Sequence, residues 1–538
     1  MSVTPIENNA YAIDFGTSNT VVARWNSAIG RAETVKLPGL SQLLANNPPL
    51  IPSLVYVEDA SQGKVILGQT VRDRGLDQTN DNRFFRSFKR GIGTEIQGFL
   101  PELDEQLVTF EQVGEWFLKQ LIGQLQADCQ ANLQSLVLTV PVDSFEAYRL
   151  WLTDICHSLE VEQIRILDEP TAAALGYGAA EQELILVVDF GGGTVDLSLV
   201  QLSRQSQATQ GFILKWGQKF LGESSSQKKT TARVLAKAGQ NLGGTDIDHW
   251  LVDYFAATEG LTKSSLTTRL AEKLKIQLST QPEASEVYFN DETLESYELN
   301  LDRSGLEKIL QEQQFFAQLD DLMTQVLQQA RRNGIEKTDI NAVLLVGGTV
   351  QMPAVQNWIK QYFDEDKILC DRPFDAIATG ALAIIQGIQV QDFLYHSYGI
   401  RYWNRKQNCH SWHPIIQAGQ PYPMAQPVEL VLGASVENQP SIELIIGEMG
   451  VNNVGVEVYF DGDRLITRST NDQTMTVKPL NDKAGARTIA RLEPLGNPGS
   501  DRVKISFWVD QERYLRLSVE DLLTQTMLLN NQIVAELT

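Results

Sequence analysis

Residues 184–202 read L-I-L-V-V-D-F-G-G-G-T-V-D-L-S-L-V-Q-L, and their types and spacing can do chemistry that neighbouring stretches cannot. Asp189 closes an apolar run, as at the end of a strand buried on both faces. Gly191, Gly192, Gly193 and Thr194 follow, then Asp196 and a second apolar stretch, so the pattern is strand, glycine turn, strand. Without β-carbons such a turn can bring several backbone N–H groups up against an anion. Asp189 and Asp196 flank that concavity. Carboxylates beside a phosphate call for a hard cation between them, which points to magnesium held largely through water. The alternative is a plain hairpin whose aspartates satisfy turn N–H groups, and the glycine cluster alone does not choose between the two.

A second copy of the pattern favours the phosphate reading. Residues 11–25 read Y-A-I-D-F-G-T-S-N-T-V-V-A-R-W, where Asp14, Phe15 and Gly16 repeat Asp189, Phe190 and Gly191. Thr17 and Ser18 then stand where the other copy has Gly192 and Gly193, and Asn19 where it has Thr194. Two such hairpins facing each other across a cleft could grip the polyphosphate of a nucleotide from both sides.

Other candidates are ambiguous one by one. In R-F-F-R-S-F-K-R-G-I-G (83–93) the cations fit a solvated face, but Lys89, between apolar residues and a glycine turn, could reach into a cleft. Glu169 precedes the helix of P-T-A-A-A, with Pro170 at its start. Glutamate is a poor capping residue, which favours a cleft-facing role. Arg149 reads as a surface charge on a helix at 144–159, after a strand at 136–140 ended by Pro141. Glu272 and Lys275 sit on an amphipathic helix at 266–278 with Ser279 just beyond, a spacing that also suits a solvated helix face. A glycine turn at 241–248 enters another helix, and A-V-L-L-V-G-G-T-V (342–350) repeats the buried strand running into glycines.

Positioning these groups takes a large protein. At 538 residues the chain has room for about three or four domain-sized units, and 43% apolar with 21% charged residues fit a soluble globular protein. A net charge of −22 argues against nucleic acid or anionic membrane as the main partner. No apolar run is long enough to span a bilayer and the first ten residues lack signal-peptide features, so a cytoplasmic location is expected. Cys129, Cys156, Cys370 and Cys409 have no C-x-x-C spacing and read as reduced thiols. A helix is expected over 110–133, a strand at 53–57, an exposed loop excursion over 211–239 and a small-residue helix over 372–387. From about residue 394 short alternating runs take over, at 428–432, 442–446, 454–460, 503–509 and 514–519, with a turn at Asp461-Gly462-Asp463. These predict an all-β sandwich reached through a linker at 390–395.

Five stretches, D-F-G-T-S-N, V-P-V-D-S-F-E-A-Y-R, L-D-E-P-T-A-A-A-L-G-Y-G, V-D-F-G-G-G-T-V-D and L-V-G-G-T-V-Q-M-P, carry a family resemblance. On them the chain resembles the heat shock seventy-kilodalton chaperones, the DnaK-like proteins, over nearly its whole length. Sugar kinases and actin resemble the two-lobed scaffold, but not the E-P-T-A-A-A helix entry. The resemblance implies an α/β fold class: a two-lobed actin-like ATPase domain of duplicated ribonuclease-H-like folds at 1–388, a linker at 389–397 and an all-β sandwich, substrate-binding-like, at 398–538. It implies an ATP hydrolase using ATP/ADP and Mg2+ to control binding of unfolded polypeptides, with co-chaperones and a nucleotide-exchange factor as further partners. The alternatives on this scaffold are a small-molecule kinase of the sugar type and a filament-forming ATPase.

The family's motifs also imply roles for single residues. Asp14 and Asp189 would orient the hydrated magnesium, while Gly16, Thr17, Ser18, Asn19, Gly191, Gly192, Gly193 and Thr194 hold phosphates. Lys89, Glu169, Asp189, Thr194 and Asp196 would be catalytic, and Pro141 with Arg149 a conformational switch. Gly243, Gly244, Glu272, Lys275, Ser279, Gly347, Gly348 and Thr349 match nucleotide-binding positions. Gln351 and Phe374 replace an arginine and an aspartate on the purine side, and His396 and Ser397 make the linker more polar than the family's. The family's helical lid has no obvious counterpart before residue 538.

Overall fold

In the computed structural model, buried apolar strands ending in Asp-Phe-Gly nucleate two sheets of the same design. The residues described are 10–44, 47–78, 81–94, 96–97, 100–129, 133–141, 146–159, 161, 163–178, 183–205, 229–290, 294–383, 394, 397–404, 409–417, 420, 422–424, 426–451, 455–461, 464–470, 475–482, 488–510 and 513–537. The chain divides into two units, one made of Met1–Thr209, Ile213–Val390 and Val456–Arg468, the other mainly of Gln391–Gly455 and Ser469–Thr538.

In the first unit, one sheet runs in the order Gln163–Asp168, Ser135–Val140, Ala10–Phe15, Asn19–Asn26, Arg31–Thr34. The other runs Ile368–Leu369, Ala342–Val346, Leu184–Phe190, Val195–Gln205, Lys229–Gln240. In both, the strand ending in Asp-Phe-Gly is central, with antiparallel neighbours on its hairpin side and parallel ones on the other. The sequence repeat is thus a repeat of topology. Each sheet has its own apolar core. Phe15, Phe88 and Phe117 stack in the first, with ring centroids 5.4–6.0 Å apart. Phe190 packs on Phe315 at 5.7 Å in the second.

Several expected elements shift. The helix expected over 110–133 is Phe110–Cys129, and residues 130–132 lie outside the description. The strand expected at 53–57 begins at Leu54, and the helix of 144–159 is Glu146–Ser158. The small-residue helix begins at Ala376, after Asp375. The loop excursion expected over 211–239 is corrected in its second half, because Lys229–Gln240 is a strand paired with Val195–Gln205. Its lysines and threonines masked an alternation that buries Val234, Ala236 and Ala238 on one face, which is the period-2 signal of a strand. Residues 206–228, with all but the last lysine of the S-S-S-Q-K-K run, lie outside the description. A hairpin, Glu283–Asn290 with Glu295–Asp302, and the helix Phe315–Arg332 were not anticipated.

The second unit contains two four-stranded antiparallel sheets. One is ordered Cys409–Ile416, Ser397–Asn404, Ile446–Val451, Met475–Pro479, the other Val428–Gly433, Asp501–Val509, Tyr514–Asp521, Thr526–Glu536. Tyr398, Ile400 and Ile446 from the one share an apolar core with Ile505, Phe507, Leu517 and Val519 from the other. The run read as one strand at 442–446 is two, Gln439–Leu444 and Ile446–Val451, which join different sheets. Gly462 and Asp463 of the expected turn, and most of the linker including His396, lie outside the description, while Leu394 is buried and Ser397 begins a strand.

Candidate functional site

The two Asp-Phe-Gly turns meet directly. A β-carbon at Gly192 would collide with the Ser18 side chain, and one at Gly193 with that of Thr17, so the second turn must be glycine for the first to approach it. The carbonyls of the glycine run are already taken. Gly191 accepts from the Gly244 N–H (3.1 Å) and Thr349 Oγ1 (2.8 Å), Gly192 from the Thr245 N–H (2.9 Å) and Gly193 from Arg90 Nε (2.9 Å). Among the described residues, the N–H groups of Gly192 and Gly193 donate to no protein acceptor. With carbonyls engaged and N–H groups free, the turn has the polarity of an anion nest. Ser53 braces the opposite turn, donating from Oγ to the Gly16 carbonyl (2.7 Å) and from N–H to the Ser18 carbonyl (2.9 Å). Asn19 begins the returning strand opposite Pro52.

Around this junction the charged candidates converge. The 3-10 turn Phe88–Gly91 places Lys89 so that its ammonium donates to the Phe15 carbonyl and lies 3.4 Å from Glu169 Oε1. Burial alone would lower the Lys89 pKa, but the carboxylates of Glu169, Asp14 and Asp189 outweigh it and hold the group charged, above the ordinary lysine value. Glu169 is free for this role because Asp168 is the actual cap of its helix, accepting from the Thr171 N–H at 2.9 Å. Asp14 accepts from Thr139 Oγ1 at 3.1 Å; burial, then Glu169, push its carboxyl up to about 7. Asp189 is also raised well above the carboxylate range, by burial first and then by Glu169, Asp196 and Asp14, with Asp196 directly opposite it in the strand register. Several carboxylates crowded out of water raise one another's pKa values, and a cation among them would relieve this.

On the other side of the glycine turn, the helix Gly244–Glu259 starts against it. A β-carbon at Gly243 would strike the Gly192 carbonyl, and one at Gly244 would lie 2.9 Å from Thr349 Oγ1 and 3.0 Å from Lys275 Nζ. Lys275 donates to the Gly244 carbonyl (2.7 Å) and pairs with Asp248 (2.7 Å), whose carboxyl burial still pushes up to about 6. Glu272 is held by Arg72 through two bonds of 3.0 and 3.2 Å, and Ser279 Oγ donates to its own helix at the Lys275 carbonyl. Gly347 has φ of 86°, and Phe374 lies beside Gly348, 3.1 Å from where a β-carbon would be.

All the nucleotide-side candidates thus lie in the first unit, and the structure joins several into one network. Pro141 follows its strand as expected, whereas residues 142–145 and the Arg149 side chain lie outside the description. Sequence reasoning passed over Arg90. Its side chain is 2% exposed, and it ties the Gly193 carbonyl to the Asp246 carboxylate. The only signal was its place beside Lys89 in a cation cluster that reads as solvated. Arg72, Thr139 and Ser53 were missed for the same reason: their partners are distant in sequence.

The Hsp70 protein family model matches residues 64–211 and 228–401, together more than half of the chain. The Chaperone protein DnaK of Thermotoga petrophila is 28% identical over 401 residues, covering 70% of this chain and 59% of that protein. The Chaperone protein DnaK of Thermosipho melanesiensis is 24% identical over 548 residues, covering 97% of this chain and 80% of its own length. The Chaperone protein HscA homolog of Photobacterium profundum is 27% identical over 398 residues, with 69% and 57% covered. Matched over more than half of its length, the chain belongs to the Hsp70 protein family.

Proposed function

We propose that the chain is an ATP-dependent chaperone of the Hsp70 type, hydrolysing ATP with magnesium to control its binding of unfolded polypeptide. The observation that carries this is the junction of the two Asp-Phe-Gly turns with Lys89 and Glu169 beside them. The paired sheets are read as the duplicated ribonuclease-H-like halves of an actin-like ATPase domain at 1–388, followed by a linker at 389–397 and a β-sandwich at 398–538. Family membership favours this over a small-molecule kinase or a filament-forming ATPase. Co-chaperones and an exchange factor are proposed partners, and a cytoplasmic location is the proposed setting; among the described residues no helix is long and apolar enough to cross a membrane.

The residues fit a magnesium nucleotide. Among the described residues no group of three or more potential ligands forms a direct metal cage, so Asp14 and Asp189 would hold the ion through its water shell, as magnesium prefers. When bound, the ion offsets phosphate charge. The free N–H groups of Gly192 and Gly193, with Thr17, Ser18 and Thr194, would hold the phosphates. Lys89, kept cationic, would stabilise the charge that develops on the transferred group, while Glu169 and Asp196 orient the attacking water. Glu272, Lys275, Ser279, Gly347, Gly348 and Thr349 would receive the nucleoside. Peptide would be held in the β unit by main-chain hydrogen bonds and apolar pockets. The test is ATP hydrolysis by the purified chain with and without magnesium, together with release of a labelled peptide on ATP addition. Slow magnesium-dependent hydrolysis and faster release are expected; neither occurring would refute the assignment.

A further inference from the structure

A cleft inside the first unit is lined by Thr17 and Ser18 of the first Asp-Phe-Gly turn together with Glu272. Three arginines, Arg72, Arg86 and Arg269, line it with two carboxylates, Asp77 and Glu272. Two of the arginines are engaged. Arg72 holds Glu272 at 3.0 Å, and Arg269 holds Asp77 at 2.9 Å. The third, Arg86, ends the short strand Phe84–Arg86 and is half-buried. Its guanidinium makes no hydrogen bond or ion pair with any described residue. Nε is sealed without an acceptor, but neither Nη nitrogen is, so the end of the fork is open to the cleft.

The carboxylates near enough to feel Arg86 already have partners. Burial would raise the Glu272 carboxyl, but Arg72 and then Arg86 outweigh it and hold the group below its ordinary value, and both Glu272 oxygens accept from Arg72. Asp248, raised by burial although Lys275 and Arg86 act against it, pairs with Lys275 at 2.7 Å. Arginine stays charged at physiological pH, and a charge drawn out of water without a counter-ion costs free energy, so this one calls for an anion from outside the protein. Its planar fork suits the oxygens of a phosphate. The residues sharing the cleft indicate which phosphate. Thr17 and Ser18 are read as phosphate ligands and Glu272 as a nucleoside ligand, whereas Lys89, Glu169, Asp14 and Asp189 are not among the described residues that line it. The anion in reach of Arg86 is therefore the inner part of a polyphosphate, common to diphosphate and triphosphate.

We propose that Arg86 binds the inner phosphates of the nucleotide through its Nη groups, adding a cation to the hydroxyls of the first turn. This rests on the reading of the cleft as a nucleotide site, but not on hydrolysis or peptide binding. Arg86 sets affinity for ADP and ATP alike, whereas Lys89 acts on the group transferred.

The test is calorimetric titration of the full chain, as wild type, Arg86→Gln and Arg86→Lys, with magnesium ADP, a non-hydrolysable magnesium ATP analogue and adenosine, alongside thermal melting. Arg86→Gln should bind both nucleotides about ten- to a hundredfold more weakly, the worth of a hydrogen bond to a charged group, with adenosine unchanged. Arg86→Lys should recover part of the loss, because an ammonium keeps the charge but not the fork. Without nucleotide, Arg86→Gln should melt at the wild-type temperature or higher, since an unpaired charge has been removed. Wild-type affinity of Arg86→Gln for both nucleotides, a loss confined to the ATP analogue, or an equal loss for adenosine would overturn the proposal. If the wild type binds nucleotide yet hydrolyses none, the chaperone reading fails and the affinities still decide the role of Arg86. A wild type that binds no nucleotide overturns both.

Discussion

The two Asp-Phe-Gly hairpins share a sheet order and a central aspartate, yet their turns differ: Gly-Thr-Ser-Asn in one, Gly-Gly-Gly-Thr in the other. The difference is complementary. Where the first turn projects Thr17 and Ser18, the second has no side chain for them to strike, and its carbonyls are drawn away by Thr349, Gly244, Thr245 and Arg90. A duplicated unit has diverged so that one copy supplies hydroxyl groups and the other bare backbone, and each turn makes sense only against its partner.

The comparison breaks most visibly at the charge that serves both turns. Lys89→Ala should keep nucleotide binding, since backbone groups carry much of the phosphate contact, but lower turnover by about a hundredfold or more, as when one transition-state donor is removed. Unchanged turnover in a steady-state assay would remove Lys89 from the mechanism. Next comes the tie between the halves. Arg90→Ala removes the counter-ion of the Asp246 carboxylate, which keeps the Gly243 N–H, and frees the Gly193 carbonyl; because Asp246 also keeps 24% side-chain exposure, the loss should be about 2–3 kcal/mol, below that for a fully buried pair. Denaturant unfolding of the variant measures this, and a loss within error would mean that the pair contributes little to the junction.

Smaller effects sharpen the comparison. Gly193→Ala overpacks the turn against Thr17 and should cost about 1–3 kcal/mol. Adding Thr17→Gly should recover part of that loss, and a double variant no better than the single would show that the two turns do not share this space. The smallest expected effect is in base choice. If Gln351 and Phe374 face the purine as the family resemblance implies, they offer it no charge, so ATP and GTP should bind within about tenfold of each other. A larger preference in competition titrations would mean that other groups clamp the base.

What could be read from sequence followed from local periodicity. The paired hairpins, the P-T-A-A-A helix and the glycine turn before Gly244–Glu259 all announce themselves within about ten residues, whereas Lys89 and Glu169 are ambiguous by themselves and are set beside them only by the family resemblance. Arg90, Ser53 and Thr139 could not be read in this way, because what gives them roles is packing across long stretches of chain. The Lys229–Gln240 strand was missed because, among its described side chains, the buried ones are only the small Val234, Ala236 and Ala238, which alternate with half-buried neighbours. The break at Ile445 was missed because a strand that changes sheets keeps its apolar pattern through the change.

Asp14 and Asp189, one from each hairpin, should act as a single magnesium-orienting unit. Single-turnover ATP hydrolysis by Asp14→Asn, Asp189→Asn and the double variant tests it most directly. Residues that act as a unit lose function together, so each single variant should fall to a similarly low rate and the double no lower. A wild-type rate in either single variant, or losses that multiply in the double, would contradict it.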